Sequence, residues 1–302
     1  LPILMALTIW SFMPSDAECA RALREVRWAA GLICLYCGSL RVVRRGWMNG
    51  IYQRYTCKDC GRWFNDKTGT AMAYSRLPLR VWFFTAFMMQ SKVSVRELAE
   101  TLGLPYKTMF RLVERLRASL HLTASTVSLR GIVELDEVYV TAGLKGKKGL
   151  KRRGRTRGLK RRGRGTYAAD KPPVLGVVER DGLVRLIPMA DVASKTVLQG
   201  LFRTFSLEDV EAFYTDEYPT YNALRSLTRH ETVNHSLGEY ARGGVHTNTV
   251  EGEFSVFRPW AATFRGYSKE KIHLYMAHYN FLRNTRHLDR VQRTLSMLFP
   301  NA

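Results

Sequence analysis

Acid is in short supply in this sequence: 26 Asp and Glu face 47 Lys and Arg, a formal net charge of +21 over 302 residues. Like charge in that excess repels itself unless a polyanion answers it, which makes nucleic acid the first candidate partner. Long apolar runs are lacking too. The longest, Leu77 to Met89, is broken by Arg80 and falls short of the roughly 20 residues that span a bilayer. The apolar start from Leu1 to Trp10 lacks the basic flank and small-residue cleavage site of a secretory leader, has Asp16 and Glu18 close behind it, and is expected to be a packed arm. No basic amphipathic helix offers a surface anchor. These absences leave a soluble, cytoplasmic protein with no membrane partner. Hydrophobic residues at 46% and aromatics at 11% exclude a disordered chain, and the length predicts two or three compact units.

Cysteine is sparse, five residues in all, yet four form two knuckles, Cys34-Leu35-Tyr36-Cys37 and Cys57-Lys58-Asp59-Cys60, each followed by glycine, with 19 residues between them. That spacing delivers four thiolates to one tetrahedral Zn²⁺, and Gly38 and Gly61 let each turn aim its backbone at the sulfurs. A structural zinc ribbon is predicted, in preference to redox dithiols or disulfides. Cys19 stands outside the pattern and reads as a buried thiol. Between the knuckles, Arg41, Arg44, Arg45 and Arg54 with Trp47, Tyr52 and Tyr55 suit short hairpin strands with a basic face, which serves either phosphate contact or plain solvation.

From Ser94, a capping box with Glu97 opens a short helix that Gly103 ends; Leu104 and Pro105 turn the chain, and a second helix runs to about Leu120 with Met109, Leu112, Val113 and Leu116 on its apolar face. Lys107, Arg111, Arg115 and Arg117 make this a candidate DNA-binding helix-turn-helix, with an ordinary helical hairpin as the alternative. His121 to Arg130, rich in Ser and Thr, reads as a linker.

A second domain follows. Gly131–Val140, Pro173–Arg180 and Leu183–Pro188 read as strands, the last two joined by an Asp181-Gly182 turn; Ser194–Phe205 reads as a helix, Val210–Thr215 as a strand, and Pro219 opens another helix. Strand, strand, strand, helix, strand, helix is the order of a ribonuclease H-like α/β domain with a mixed sheet. Between its first two strands, residues 145–164 hold twelve Lys or Arg, five Gly and no acid. Such a run is expected to be disordered alone and to wrap DNA through Lys147, Lys148, Lys151, Arg152, Arg153, Arg161 and Arg162; a solvated loop is the bland alternative.

Acids in the apolar strand Ile132 to Val140 are costly. Alternation sends Glu134 and Asp136 to one face and Glu137 to the other, so that Asp136 and a neighbour can share a site. Asp216 closes the strand from Val210, where α/β sheets place their ligands, although an Asp before a proline-led helix is also an ordinary N-cap. In His246 to Arg258, helical spacing aligns Asn248, Glu251, Ser255 and Arg258 on one face and leaves Glu253 off it. Asp136, Asp216 and Glu251 are oxygen donors of the kind that bind Mg²⁺ or Mn²⁺. Two such ions about 4 Å apart activate the attacking oxygen and stabilise the leaving one in phosphoryl transfer, with Arg258 placed to steady the phosphate.

Together these residues resemble the bacterial insertion-sequence transposases that carry an N-terminal zinc ribbon and a D-D-E or D-D-N catalytic domain, relatives of the eukaryotic Merlin elements. The supporting text is Cys57 to Gly61 followed by Gly69-Thr70, Ser94 to Leu116, Leu135 to Tyr139, Thr215 to Tyr218 and His246 to Gly252. The resemblance implies a ribonuclease H-like catalytic domain, binding to terminal inverted repeats, and strand cleavage and transfer without a covalent enzyme intermediate. It also implies at least a dimer on double-stranded DNA, transposon ends and target, in the bacterial nucleoid. In that family the last metal position is Asn or Glu; this sequence offers Asn248 and Glu251, and an ionised carboxylate suits a hard cation better than an amide. Relatives often carry Trp where Phe254 stands and Lys where Arg258 stands. The expected organisation is a helical arm at 1–30, the zinc ribbon at 31–70, the helix-turn-helix region at 71–122 and the catalytic domain at 123–302 with its basic insert at 143–171. A non-catalytic DNA-binding regulator or an inactivated transposase copy is the alternative.

Overall fold

The computed structural model describes residues 13–122, 127–140, 142, 171–264 and 266–299. The arm at Leu1 to Trp10 and all seven candidate contacts of the basic insert fall outside them. The chain divides into two compact units, residues 1–123 with 287–302, and residues 124–286.

In the first unit, helix α1 (Asp16–Arg27) opens on a capping box between Ser15 and Glu18. Strands β1 (Val42–Met48), β2 (Tyr52–Cys57) and β3 (Trp63–Asn65) form an antiparallel sheet in that order. The β1–β2 turn takes Asn49 and Gly50 through φ of 54° and 68°, the left-handed pair that matches hairpin twist. Buried Asp66 ties α1 to the sheet, accepting from Arg24 Nη1 at 2.9 Å, Tyr55 Oη at 2.9 Å and the Gln53 amide at 2.7 Å. The expected arm at 1–30 therefore contains a helix built into the ribbon. Helices α2 (Leu79–Met88), α3 (Val95–Leu102) and α4 (Tyr106–Leu122) follow. Gly103, at φ 62°, ends α3 in the left-handed conformation that a side chain resists.

The second unit is built on β4 (Val127–Tyr139), β5 (Pro173–Glu179), β6 (Val184–Pro188), β7 (Phe205–Asp216) and β8 (Arg229–Val233), in sheet order β6-β5-β4-β7-β8. β6, β5 and β4 run antiparallel; β4, β7 and β8 run parallel. Helix α5 (Ser194–Thr204) and a 3₁₀ segment at Pro219–Ser226 cover one face, packing Val197, Leu201, Tyr221 and Leu224 against Val133, Leu135, Val177 and Phe213. Helices α6 (Asn248–Ala262) and α7 (Ile272–Asn284) cover the other, with Phe254, Phe257, Met276 and Tyr279 against Val138, Val174, Val184 and Leu186. Edge strand β6 is closed by side chains: Asn280 and Asn284 of α7 each accept from and donate to its backbone, at Leu186 and Val184. That pairing removes the template an open edge offers to other strands. Helix α8 (Arg290–Leu298) belongs to the first unit, where the Gln90 amide donates to the Arg290 carbonyl and to Thr294.

Three expectations need correction. Part of the expected linker is strand: Val127 to Arg130 belong to β4, with Leu129 buried between exposed Ser128 and Arg130. β7 starts at Phe205, and the two strands lengthen each other, Val127 pairing with Phe205 and Ser128 with Ser206. The segment opened by Pro219 is a 3₁₀ helix.

Candidate active site

On β4 the alternation of the pleat separates three neighbouring acids. Glu137 faces the α5 side, where its carboxylate accepts from the Tyr221 hydroxyl at 2.7 Å. Glu134 and Asp136 face α6. Glu134 is fully buried and accepts from Arg180 Nε at 2.6 Å, the Thr249 amide at 2.8 Å, the Thr249 hydroxyl at 2.9 Å and the Val250 amide at 3.1 Å. Thr249 and Val250 lie in the first turn of α6, whose amides have no partner inside the helix, and the preceding Thr247 side chain does not cap them. A carboxylate from the neighbouring strand does so and also meets the positive end of the helix dipole. Glu134 is thus the clamp that fixes α6 on β4, and Glu251 comes one residue after the second clamped amide.

Gly176 makes the close approach possible. It pairs with Asp136 across β4 and β5, and a Cβ there would stand 2.7 Å from the Phe254 ring and 2.9 Å from Val250. Asp216 reaches the same place from the other side. Glu134 pairs with Tyr214 in the parallel β4–β7 register, so Asp136 and Asp216 each lie two residues further along adjacent strands. Asp216 Oδ1 accepts the Tyr218 amide at 3.0 Å.

The electrostatics record this convergence. Burial pushes the Asp136 carboxyl up to about 8, helped by the charges of Glu137, Asp216 and Glu251 and opposed by the Glu137 amide, which donates to it at 2.7 Å. Such a half-buried acid among acids favours a cation, and the donors are the hard oxygens that Mg²⁺ and Mn²⁺ take. The set fits a divalent ion in chemistry; among the described residues its oxygens do not close into as tight a group as the cysteines below. Glu251 is exposed, with the Thr247 hydroxyl donating to its Oε1 at 3.0 Å. Asn248 opens α6 and is exposed, and Arg258 is exposed two turns after Glu251 with its guanidinium 5.9 Å from the Phe254 ring. Glu253 points inward, gripped by Arg283 at 2.7 and 2.8 Å and by the Tyr279 hydroxyl. The sequence pattern gives no sign of Arg180 or of the clamp at Glu134; a charged residue after a β5 run of buried apolar positions was the available signal.

The cysteine pattern folds as its spacing demands. The four sulfurs of Cys34, Cys37, Cys57 and Cys60 lie within 4.8 Å of one another, with 3.6 Å from Cys34 to Cys60 and 3.7 Å from Cys37 to Cys57. Four sulfurs about 2.3 Å from one Zn²⁺ stand about 3.8 Å apart, so the set fits zinc. The two knuckles repeat the same turn: Gly38 and Gly61 have φ of 73° and 70°, and their amides donate to the carbonyls of Cys34 and Cys57. Amides of Cys60 and Asp59 aimed at the Cys57 sulfur hold its thiol down to about 6, favouring the thiolate that binds metal.

Among the candidate DNA contacts, Lys107 and Arg111 are exposed on α4. Arg115, also exposed, donates to the Ala73 carbonyl at 2.6 Å and lies over the Trp82 ring. Arg117 is buried and does not share that face.

A zinc-binding module followed by a mixed-sheet domain with clustered acids defines the class, and comparison with known proteins agrees. Residues 14–62 match the transposase zinc-ribbon domain and residues 128–284 the ISXO2-like transposase domain. The chain belongs to the ISXO2-like transposase family. It is 39% identical over 267 residues to an uncharacterized protein in transposable element ISH50 of Halobacterium salinarum, covering 87% of this chain and 88% of that protein. Similar solved structures are the Mos1 strand transfer complex (15% identity, 70% of this chain and 75% of that one, TM-score 0.24) and a pre-cleavage Mos1 transpososome (15%, 72% and 77%, TM-score 0.22). No helix of the described residues is long and apolar enough to cross a membrane.

Proposed function

We propose that the chain is a DNA transposase that binds the terminal inverted repeats of its element and catalyses metal-dependent strand cleavage and strand transfer. The observation that carries the proposal is the convergence of Asp216 and Glu251 on Asp136, whose carboxyl is raised to about 8 by burial and by the charges of Glu137, Asp216 and Glu251, although the three acids of the trio come from β4, β7 and α6. The sheet order, third-second-first-fourth-fifth strand of the unit, supports the ribonuclease H-like reading.

In this reading Asp136, Asp216 and Glu251 hold two Mg²⁺ or Mn²⁺ ions, with Asn248 as the alternative to Glu251, and Arg258 steadies the DNA phosphate. Bound there, the ions would supply Lewis acidity to the attacking and leaving oxygens of an in-line displacement. The protein's own work is placement. β4 and β7 fix two carboxylates at matched heights, and Glu134 and Gly176 seat α6 so that the third faces them. Structural Zn²⁺ holds the ribbon, and Lys107 and Arg111 on α4 present the helix-turn-helix to duplex DNA. The basic insert adds backbone contacts, and at least two protomers hold two ends together.

The direct test is cleavage and joining of a labelled fragment carrying the element's own ends in Mg²⁺, wild type beside Asp216→Asn. Activity in the wild type alone is expected. Tight end binding with no cleavage by the wild type would instead make the protein a DNA-binding regulator or an inactive copy.

A further inference from the structure

Two residues beside the acidic trio have so far no part in it: Glu217, which follows Asp216, and His235, in the connection from β8 to α6. They are coupled. The Glu217 carboxylate accepts the amides of His235 at 2.9 Å and Ser236 at 3.1 Å, and the Asn234 side chain caps the same turn at the Leu237 amide. The His235 ring lies 5.2 Å from that of Tyr240. So held, its Nε2 stands 3.8 Å from Glu251 Oε1, shielded from solvent and without a hydrogen-bond partner.

A shielded imidazole nitrogen with no partner carries a desolvation cost, which an ion seated between it and Glu251 would relieve. Geometry names the use. Two donors about 2.1 Å from one ion are about 3.0 Å apart at a right angle and about 4.2 Å apart on opposite sides; 3.8 Å falls between. Carboxylate oxygen alone suits Mg²⁺, whereas an added imidazole favours a transition metal.

We propose that His235 Nε2 and Glu251 form a nitrogen–oxygen pair that binds one divalent ion and biases the site toward Mn²⁺ over Mg²⁺, with Glu217 as the positioning residue that holds the histidine there. The inference rests on Glu251 being a metal ligand.

The test uses full-length, zinc-loaded protein without DNA. Pulsed electron paramagnetic resonance of bound Mn²⁺ reads nitrogen ligation directly, and calorimetry reads affinity for each ion. Wild type and the control His287→Ala should show a nitrogen signal that His235→Ala and the bulkier His235→Gln both lose. Mn²⁺ affinity should fall about 10-fold in both His235 variants with Mg²⁺ affinity little changed, and Glu217→Ala should move the same way. A nitrogen signal that survives in His235→Gln, or unchanged Mn²⁺ affinity, overturns the proposal. Asp216→Asn separates the two readings: if it abolishes Mn²⁺ binding while the His235 variants bind normally, the acidic site stands and the histidine is no ligand. If Asp216→Asn binds Mn²⁺ as wild type does, the acidic site itself is wrong.

Discussion

Replacing Glu134 with Ala tests whether the site is assembled by one buried carboxylate. The substitution leaves the Arg180 guanidinium, only 21% exposed, facing nothing on that side, and strands the Thr249 and Val250 amides under the sheet. Removing one partner of a buried ion pair costs about 3–5 kcal/mol. For a unit of about 150–250 residues, where 1 kcal/mol moves Tm by about 2–4 °C, the melting transition of the second unit should fall by about 6–20 °C. Glu134→Gln keeps the shape but offers one acceptor where several donors converge, and should lose about 1–3 kcal/mol. Removing Arg180 as well should recover part of the alanine loss, since the orphaned charge causes much of it. Differential scanning calorimetry of the zinc-loaded protein reads all three. A loss below about 1 kcal/mol, the scale of a surface ion pair, would refute the clamp.

Three further outcomes are expected. Gly176→Ala drives a methyl group into Phe254 and Val250; it should cost about 1–3 kcal/mol and slow cleavage far more than that loss explains, because α6 carries Glu251 away from Asp136, and a wild-type cleavage rate would count against this seating. Because burial and neighbouring acids raise Asp136 from 3.8 to about 8, its neutral form belongs to the fold: that contribution is complete below about pH 4 and is lost as pH rises through about 8. In chelator-treated protein, Asp136→Asn should therefore melt with the wild type near pH 4 and above it at pH 8, and parallel melting curves across that range would remove the electrostatic argument. Replacing Cys34 and Cys57 together by Ser should release zinc, measured by mass spectrometry, and loosen the core of Trp28, Tyr55 and Phe64; one zinc retained per chain would mean that the knuckles do not bind it.

Features carried by short stretches of chain were legible in the sequence. The two Cys-x-x-Cys-Gly knuckles, the Ser94–Glu97 capping box, the left-handed stop at Gly103 and the Asp181-Gly182 turn each occupy a few residues whose chemistry permits little else. Asp136, Asp216 and Glu251 were legible as candidates, since acids interrupting apolar strands or aligned on a helix face are costly enough to stand out.

Their meeting was decided by tertiary structure, because it depends on partners distant in the chain. Strand length was set by mutual pairing of β4 and β7, which the Ser- and Thr-rich run from His121 concealed. The roles of Glu134, Asp136 and Glu137, near neighbours on one strand, were divided by what each face met: Arg180 and the start of α6, the other acids, and Tyr221. The sequence by itself determined which groups have the chemistry to bind metal or to end a helix, because those are properties of single side chains and short turns. Only the packed structure decided which acid supports the fold and which faces the site, because that rests on the burial and charge of neighbours a hundred residues away.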